Sequence, residues 1–207
     1  MLAKNGRRIG MRLFSRDDKA MSQKFDALLQ KHIDFIALQK IFFVGTATAE
    51  SRINVSPKGM DSLRVRSPSE VIWLNVTGSG NESSAHVQVD SRMTIMFCAF
   101  EGDPLILRLY GRARVTHRGE SRWTELFQCF PPLPGARQIF ELHVDLVQSS
   151  CGMAVPNYSY VEDRELLNTW AAKKDESALQ EYWAAKNQES IDGIATNILG
   201  KSEMPSA

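Results

Sequence analysis

The chain has 207 residues, 43% of them hydrophobic, and a formal net charge of +1, which is enough apolar material for one sizeable core. So small a charge argues against a general electrostatic grip on nucleic acid, and no apolar run approaches the roughly 20 residues of a membrane-spanning helix. The three cysteines, Cys98, Cys129 and Cys151, are widely spaced and form no Cys-x-x-Cys, which speaks against a disulfide framework or a structural zinc site and for reduced thiols in the cytoplasm.

Residues 1–21 read as a basic leader, expected to be poorly ordered. Six basic residues (Lys4, Arg7, Arg8, Arg12, Arg16, Lys19) stand in the first twenty against Asp17 and Asp18. The continuous apolar stretch of a secretory signal is missing; a transit peptide is the alternative. Residues 22–40 predict a helix, with Phe25, Leu28, Leu29, Ile33, Ile36 and Ala37 at helical spacing and Ser22 as N-cap. Ile41 to Thr48 and Arg52 to Ser56 predict a strand hairpin. Ile53 and Val55 fall on one face of its second strand, with Arg52, Asn54 and Ser56 on the other. Pro57-Lys58-Gly59 is expected to break that strand.

Val71 to Val76 is the next predicted strand. A Thr77-Gly-Ser-Gly-Asn81 turn then leads into a short helix from Glu82 to Ser91. Met93 to Phe100 predicts a buried strand. Leu105 to Val115 alternates most clearly: Leu105, Leu107, Leu109, Ala113 and Val115 oppose Arg108, Tyr110, Arg112 and Arg114. Arg122 to Phe130 predicts a helix ended by Pro131-Pro132. Arg137 to Gln148 alternates again, and the last fifty residues predict helices. The sum is about six strands with helices at both ends. That is a mainly β, antiparallel barrel, without the βαβ alternation of a doubly wound sheet.

Two segments could carry chemistry. Arg52-Ile-Asn-Val-Ser-Pro-Lys-Gly59 places polar groups on one strand face and adds Lys58 at a bend. Thr77-Gly-Ser-Gly-Asn-Glu-Ser-Ser84 frees the backbone at two glycines directly before a helix, whose N-terminal N–H groups suit an anion. Together they form a candidate phosphate cradle. A capped turn and a solvated lysine are the plain alternatives. The Gly-x-Gly is neither a dinucleotide fingerprint nor a Walker loop.

Four motifs stand in a fixed order: Asn-Val-Ser-Pro-Lys-Gly (54–59), Thr-Gly-Ser-Gly-Asn-Glu (77–82) followed by Ala85-His86, Leu-Tyr-Gly-Arg-Ala (109–113), and Ser-Cys-Gly (150–152). The set resembles the pyridoxamine 5′-phosphate oxidase-like FMN-binding split β-barrel proteins over roughly Phe25 to Pro156. The resemblance implies an antiparallel split barrel over 22–156 with a C-terminal helical appendage over 157–207. It also implies a homodimer with FMN in a groove at the subunit interface. It places Arg52, Lys58, Ser79 and Ser84 beside the phosphate. It places Asn54, Val55, Ser56 and Thr77 along the ring or ribityl chain, with Pro57, Gly78 and Asn81 in the same two segments. At least one of Arg108, Arg112 and Arg114, with Arg108 chosen, is expected near the flavin or the dimer seam; a solvated face paired with Glu141 or Asp145 is the alternative.

The resemblance has gaps. The family's oxidases carry an Arg-Lys pair where this chain has Ser83 and Ser84, so the phosphate charge falls to Lys58, Arg52 and an arginine of 108–114. The tail motif Arg-Leu-x-Pro that recognises pyridoxal phosphate is absent, which argues against oxidation of pyridoxamine phosphate. His86 and His143 could carry protons, although a surface histidine is the plainer state. Cys151 could face the flavin, but an inert thiol is the plainer reading. No nucleophile and no metal site is expected. The expected activity is an FMN-dependent oxidoreductase that passes a hydride through the flavin between small-molecule partners. Its alternative is a flavin-binding or flavin-sequestering protein without turnover. A weaker alternative keeps the barrel with haem or a deazaflavin.

Overall fold

The two longest strands organise everything else. In the computed structural model, which describes residues 22–200, β7 (Ile106–His117) and β8 (Ala136–Ser150) pair antiparallel along nearly their whole length, from Ile106 opposite Ser150 to His117 opposite Gln138. They recruit β1 (Gln23–Phe25), β2 (Phe42–Thr46), β3 (Asn54–Lys58), β4 (Leu63–Ser67), β5 (Glu70–Val76) and β6 (Arg92–Cys98). The result is one eight-stranded antiparallel sheet in the order β3-β2-β6-β7-β8-β5-β4, with β1 on β8. The sheet curls round a core but stays open between β3 and β4, which is the expected split barrel. The helices are α1 (Gln30–Leu38), α2 (Glu82–Val89), α3 (Trp123–Phe127), α4 (Leu166–Ala172) and α5 (Glu176–Lys186). The basic leader lies outside the described residues.

The period-two pattern decides which side chains fill the barrel. Val44, Val71, Trp73, Ile95, Phe97, Leu107, Leu109, Phe140, Leu142 and Val147 are buried inside it, and α1 adds Phe35 and Ile36. Trp73 and Phe140, opposite each other on β5 and β8, stack at 4.3 Å. The other face of β5 and β8 is covered too. Ile72, Leu74 and Ile139 pack against Leu126 and Phe130 around α3. These strands are therefore packed on both faces near Ile139, and truncating a ring such as Phe140 to alanine should cost about 3–5 kcal/mol.

Glycine is required at two of the motif positions by close approach. At the register shift between Tyr110 and Gly111, a Cβ on Gly111 would overlap the His143 carbonyl oxygen and lie 2.8 Å from its carbon. A Cβ on Gly152 would lie 2.9 Å from the Leu105 nitrogen. These contacts explain why glycines stand in Leu-Tyr-Gly and Ser-Cys-Gly, without reference to any ligand.

Four expectations need correction. Residues 22–40 are not one helix. Gln23–Phe25 is a strand that fills the edge of β8 beyond β5, with Phe25 opposite Val147. The helix starts at Gln30, so Ser22 is not its cap. The first turn is closed by the His32 imidazole, whose Nδ1 accepts the Leu29 N–H at 3.1 Å. The Pro57 break does not occur: β3 runs through Pro57 and Lys58, opposite Phe43 and Phe42. It is an outermost strand, where a missing N–H is tolerated. Strand β4 was not expected. The C-terminal region is helical only over α4 and α5, while 151–165 and 187–200 hold no α-helix.

Candidate functional site

Asn54, Ser56 and Lys58 alternate along β3 and turn to the inside of the open edge, as the period predicts. The apolar Ile53 and Val55 turn outward and are 78% and 63% exposed. The polar face of β3 meets the end of β5 and the loop that follows it. Between them lies a cleft of about 360 Å³, lined by Asn54, Ser56, Pro57, Lys58, Gly59 and Met60, by Asn75 and residues 76–83, and by Arg137 of β8. This volume is at the lower end of the range for small-ligand sites.

Two cations share the cleft. The Lys58 ammonium lies 5.4 Å from the centre of the Trp73 ring. Burial, and then the nearby Arg137 charge, push its pKa down to about 8. Arg137 is 3% exposed, and its burial pulls the guanidinium down to about 10. Neither cation forms an ion pair among the described residues. Two desolvated like charges with no counter-ion are costly unless an anion joins them.

The loop supplies further donors. The main-chain N–H groups of residues 78–83 donate to no acceptor among the described residues, and α2 begins at Glu82. Buried polar atoms without partners also gather here: Ser56 Oγ, Arg137 Nε and Asn81 Oδ1. Glu82, the carboxylate on the rim, is engaged elsewhere as acceptor for the Ile191 N–H. The arrangement can hold a phosphate-bearing ligand by charge and by backbone N–H groups.

The structure brings Asn54, Ser56, Pro57, Lys58, Thr77, Gly78, Ser79 and Asn81 together around this cleft. Four other candidates stand outside it. Arg52 pairs with Asp192 through its guanidinium and main-chain N–H. Val55 is on the outward face of β3. Ser84 is fully buried and donates to the Thr196 carbonyl oxygen at 3.0 Å. Arg108 donates to Ser150 Oγ at 3.1 Å. The family resemblance placed these four near the ligand; in the fold C-terminal residues engage Arg52 and Ser84, a neighbouring strand engages Arg108, and Val55 faces outward. Thr77 lines the cleft, yet its hydroxyl is engaged: it donates to the Gly135 carbonyl oxygen and accepts from Trp183 Nε1.

Among the other arginines, Arg114 and Arg122 both bind the buried Glu141, which is the paired alternative read from the strand. His86 is buried against Thr46, its Nδ1 3.1 Å from Thr46 Oγ1. His143 and Cys151 are exposed. The residue that sequence reasoning missed is Arg137. Its one signal was a cation at the start of a predicted strand.

A family model described as pyridoxamine 5′-phosphate oxidase matches residues 28–151. The chain belongs to this family. The pyridoxamine 5′-phosphate oxidase family protein ustO of Aspergillus flavus is 33% identical over 188 residues, covering 82% of this chain and 76% of that protein. Among solved structures, a putative pyridoxamine 5′-phosphate oxidase of Lactobacillus delbrueckii is 17% identical, covering 59% of this chain and 94% of the other, with a TM-score of 0.48. HutZ, the haem storage protein of Vibrio cholerae, is 18% identical over 60% of this chain and 97% of its own, with a TM-score of 0.43. The family match contains the first three ordered motifs and ends within the fourth, and the cleft is built from the first two of them.

Proposed function

We propose that the protein binds FMN with its phosphate in this cleft and acts as an FMN-dependent oxidoreductase of the pyridoxamine 5′-phosphate oxidase family. The observation that carries the reading is the pair of a half-buried Lys58 and a buried Arg137, without a counter-ion among the described residues and beside six free N–H groups. In this reading Lys58 and Arg137 neutralise the phosphate and the 78–81 loop donates to its oxygens. Asn54 and Ser56 orient the chain that leaves the phosphate. Bound FMN supplies an acceptor for a hydride and its electron pair, so the protein needs to position the flavin and exclude water, with no acid or base of its own.

The exposed Ile53 and Val55 on an outermost strand support a second copy of the chain as the cover for this face. Val55→Lys should then give a monomer in light scattering that retains flavin poorly.

The decisive test is the isolated protein itself. A yellow preparation that releases FMN on denaturation, and whose colour bleaches with a nicotinamide donor, is the expected result. FMN retention without bleaching by any donor would leave a flavin-binding protein without that turnover. A Soret band in place of flavin absorption, or a colourless protein that takes up no FMN, would refute the reading.

A further inference from the structure

The glycine-rich loop of the cleft is held from behind by a part of the chain more than a hundred residues away. Asn187, which ends α5, is fully buried. Its Oδ1 accepts from Arg137 Nη1 at 2.7 Å. Its Nδ2 donates to the carbonyl oxygens of Gly78 and Ser79 at 3.1 and 3.4 Å. Arg137 Nη2 donates to the next carbonyl, Gly80, at 2.8 Å. The main-chain oxygen of Asn187 accepts from Asn81 Nδ2 and from Thr196 Oγ1. Around this point Trp183 binds Thr77, and the Thr196 carbonyl accepts from Ser84 and Gln88.

In a trans peptide the carbonyl and the following N–H point in opposite directions. Tying the carbonyls of residues 78–80 to Asn187 and Arg137 therefore turns the N–H groups of residues 79–81 away from those partners, which leaves them free to donate. The same amide also fixes the guanidinium. Arginine carries rotamer entropy of about 2 kcal/mol when free, so a fixed Arg137 is a prepared anion contact. Positions 83 and 84 carry serines in place of a cation pair, and Ser84 is spent on the C-terminal segment. Arg137, held by that segment, supplies positive charge there from another strand.

We propose that Asn187 is a positioning residue of the anion cleft, one side chain fixing both the Arg137 guanidinium and the turn of the 78–80 backbone. The segment 183–196 is then a built part of the cofactor site. This rests on the reading that the cleft takes the FMN phosphate.

The test compares FMN with riboflavin, which lacks the phosphate, by flavin fluorescence titration. The proteins are the wild-type chain, Asn187→Ala and the nearly isosteric Asn187→Asp. The wild type should prefer FMN. Asn187→Ala should reduce that preference roughly tenfold or more and leave riboflavin affinity unchanged. Asn187→Asp should reduce it further, because its carboxylate neutralises Arg137 and faces two carbonyl oxygens. A full FMN preference in either variant overturns the proposal. Equal loss of both flavins also overturns it, since a purely structural role moves both alike. If Asn187→Ala does not fold, Asn187→Asp decides alone; failure of both to fold overturns the positioning role in favour of a structural one. A wild-type chain that binds the two flavins alike, or binds neither, overturns the phosphate reading and this proposal with it.

Discussion

Raising the pH from 7 to 9 should loosen FMN about tenfold, and Lys58 sets that slope. Its pKa in the protein stands at about 8, against an ordinary 10.5, because burial and Arg137 disfavour the ammonium. That gap corresponds to at most about 3 kcal/mol. It is an upper bound, since Lys58 keeps part of its surface in water. An anion in the cleft favours the ammonium and raises the pKa again. The bound state therefore holds the proton more tightly than the free state, and affinity falls as pH rises through about 8 towards 10.5. If binding restores the ordinary value, the dissociation constant rises about tenfold between pH 7 and pH 9. The second ionisation of a phosphate monoester lies near pH ~6, so the ligand's own charge is constant over this range. Fluorescence titration of FMN across pH 7–9 measures the slope, with riboflavin as the control that should show none. Lys58→Gln should bind FMN weakly at pH 7 and show a flat profile. A wild-type profile without slope, or the same slope in Lys58→Gln, would refute the reasoning.

Arg137→Ala should lower FMN affinity roughly 10- to 100-fold, the range of a lost charge-assisted hydrogen bond, and leave riboflavin affinity unchanged; Arg137→Lys should recover part of it, since an ammonium keeps the charge without the fork. Gly111→Ala should lose about 3 kcal/mol in urea unfolding, because the added methyl meets the backbone of His143, which cannot rotate away. His32 is held neutral by burial at a pKa of about 4, below its ordinary 6.5. The unfolded chain binds that proton more readily, so stability present above pH 6.5 should fall by up to about 3 kcal/mol as the pH drops to 4. His117, also pushed down by burial, acts in the same direction. His32→Gln should flatten most of this loss in urea denaturation followed at successive pH values.

Much of this architecture was legible because it is local. The alternations of 105–115 and 137–148 predicted β7 and β8, and their turn glycines and prolines marked the ends. The two polar segments were legible as well, since a strand with one polar face and a glycine-rich turn before a helix are properties of neighbouring residues. Where the reading failed, a distant partner decided. Gln23–Phe25 fits a helical period, but the open edge of β8 beyond β5 binds it as a strand. Lys58 stays in a strand after proline because β3 is an outermost strand, which only the sheet order reveals. Arg52 and Ser84 are engaged by Asp192 and Thr196, more than a hundred residues away.

The cleft shows the same division. Residue types at 54–59 and 77–82 determined that polar groups, a lysine and a free backbone would occur in two short stretches. Tertiary structure alone decided that these stretches face each other, that Arg137 completes their charge, and that Asn187 fixes both. Periodicity reports which face of an element is apolar, because that depends on chain neighbours. It does not report which other element meets that face, and so a site built from β3, β5, β8 and the end of α5 exists only once the chain has folded.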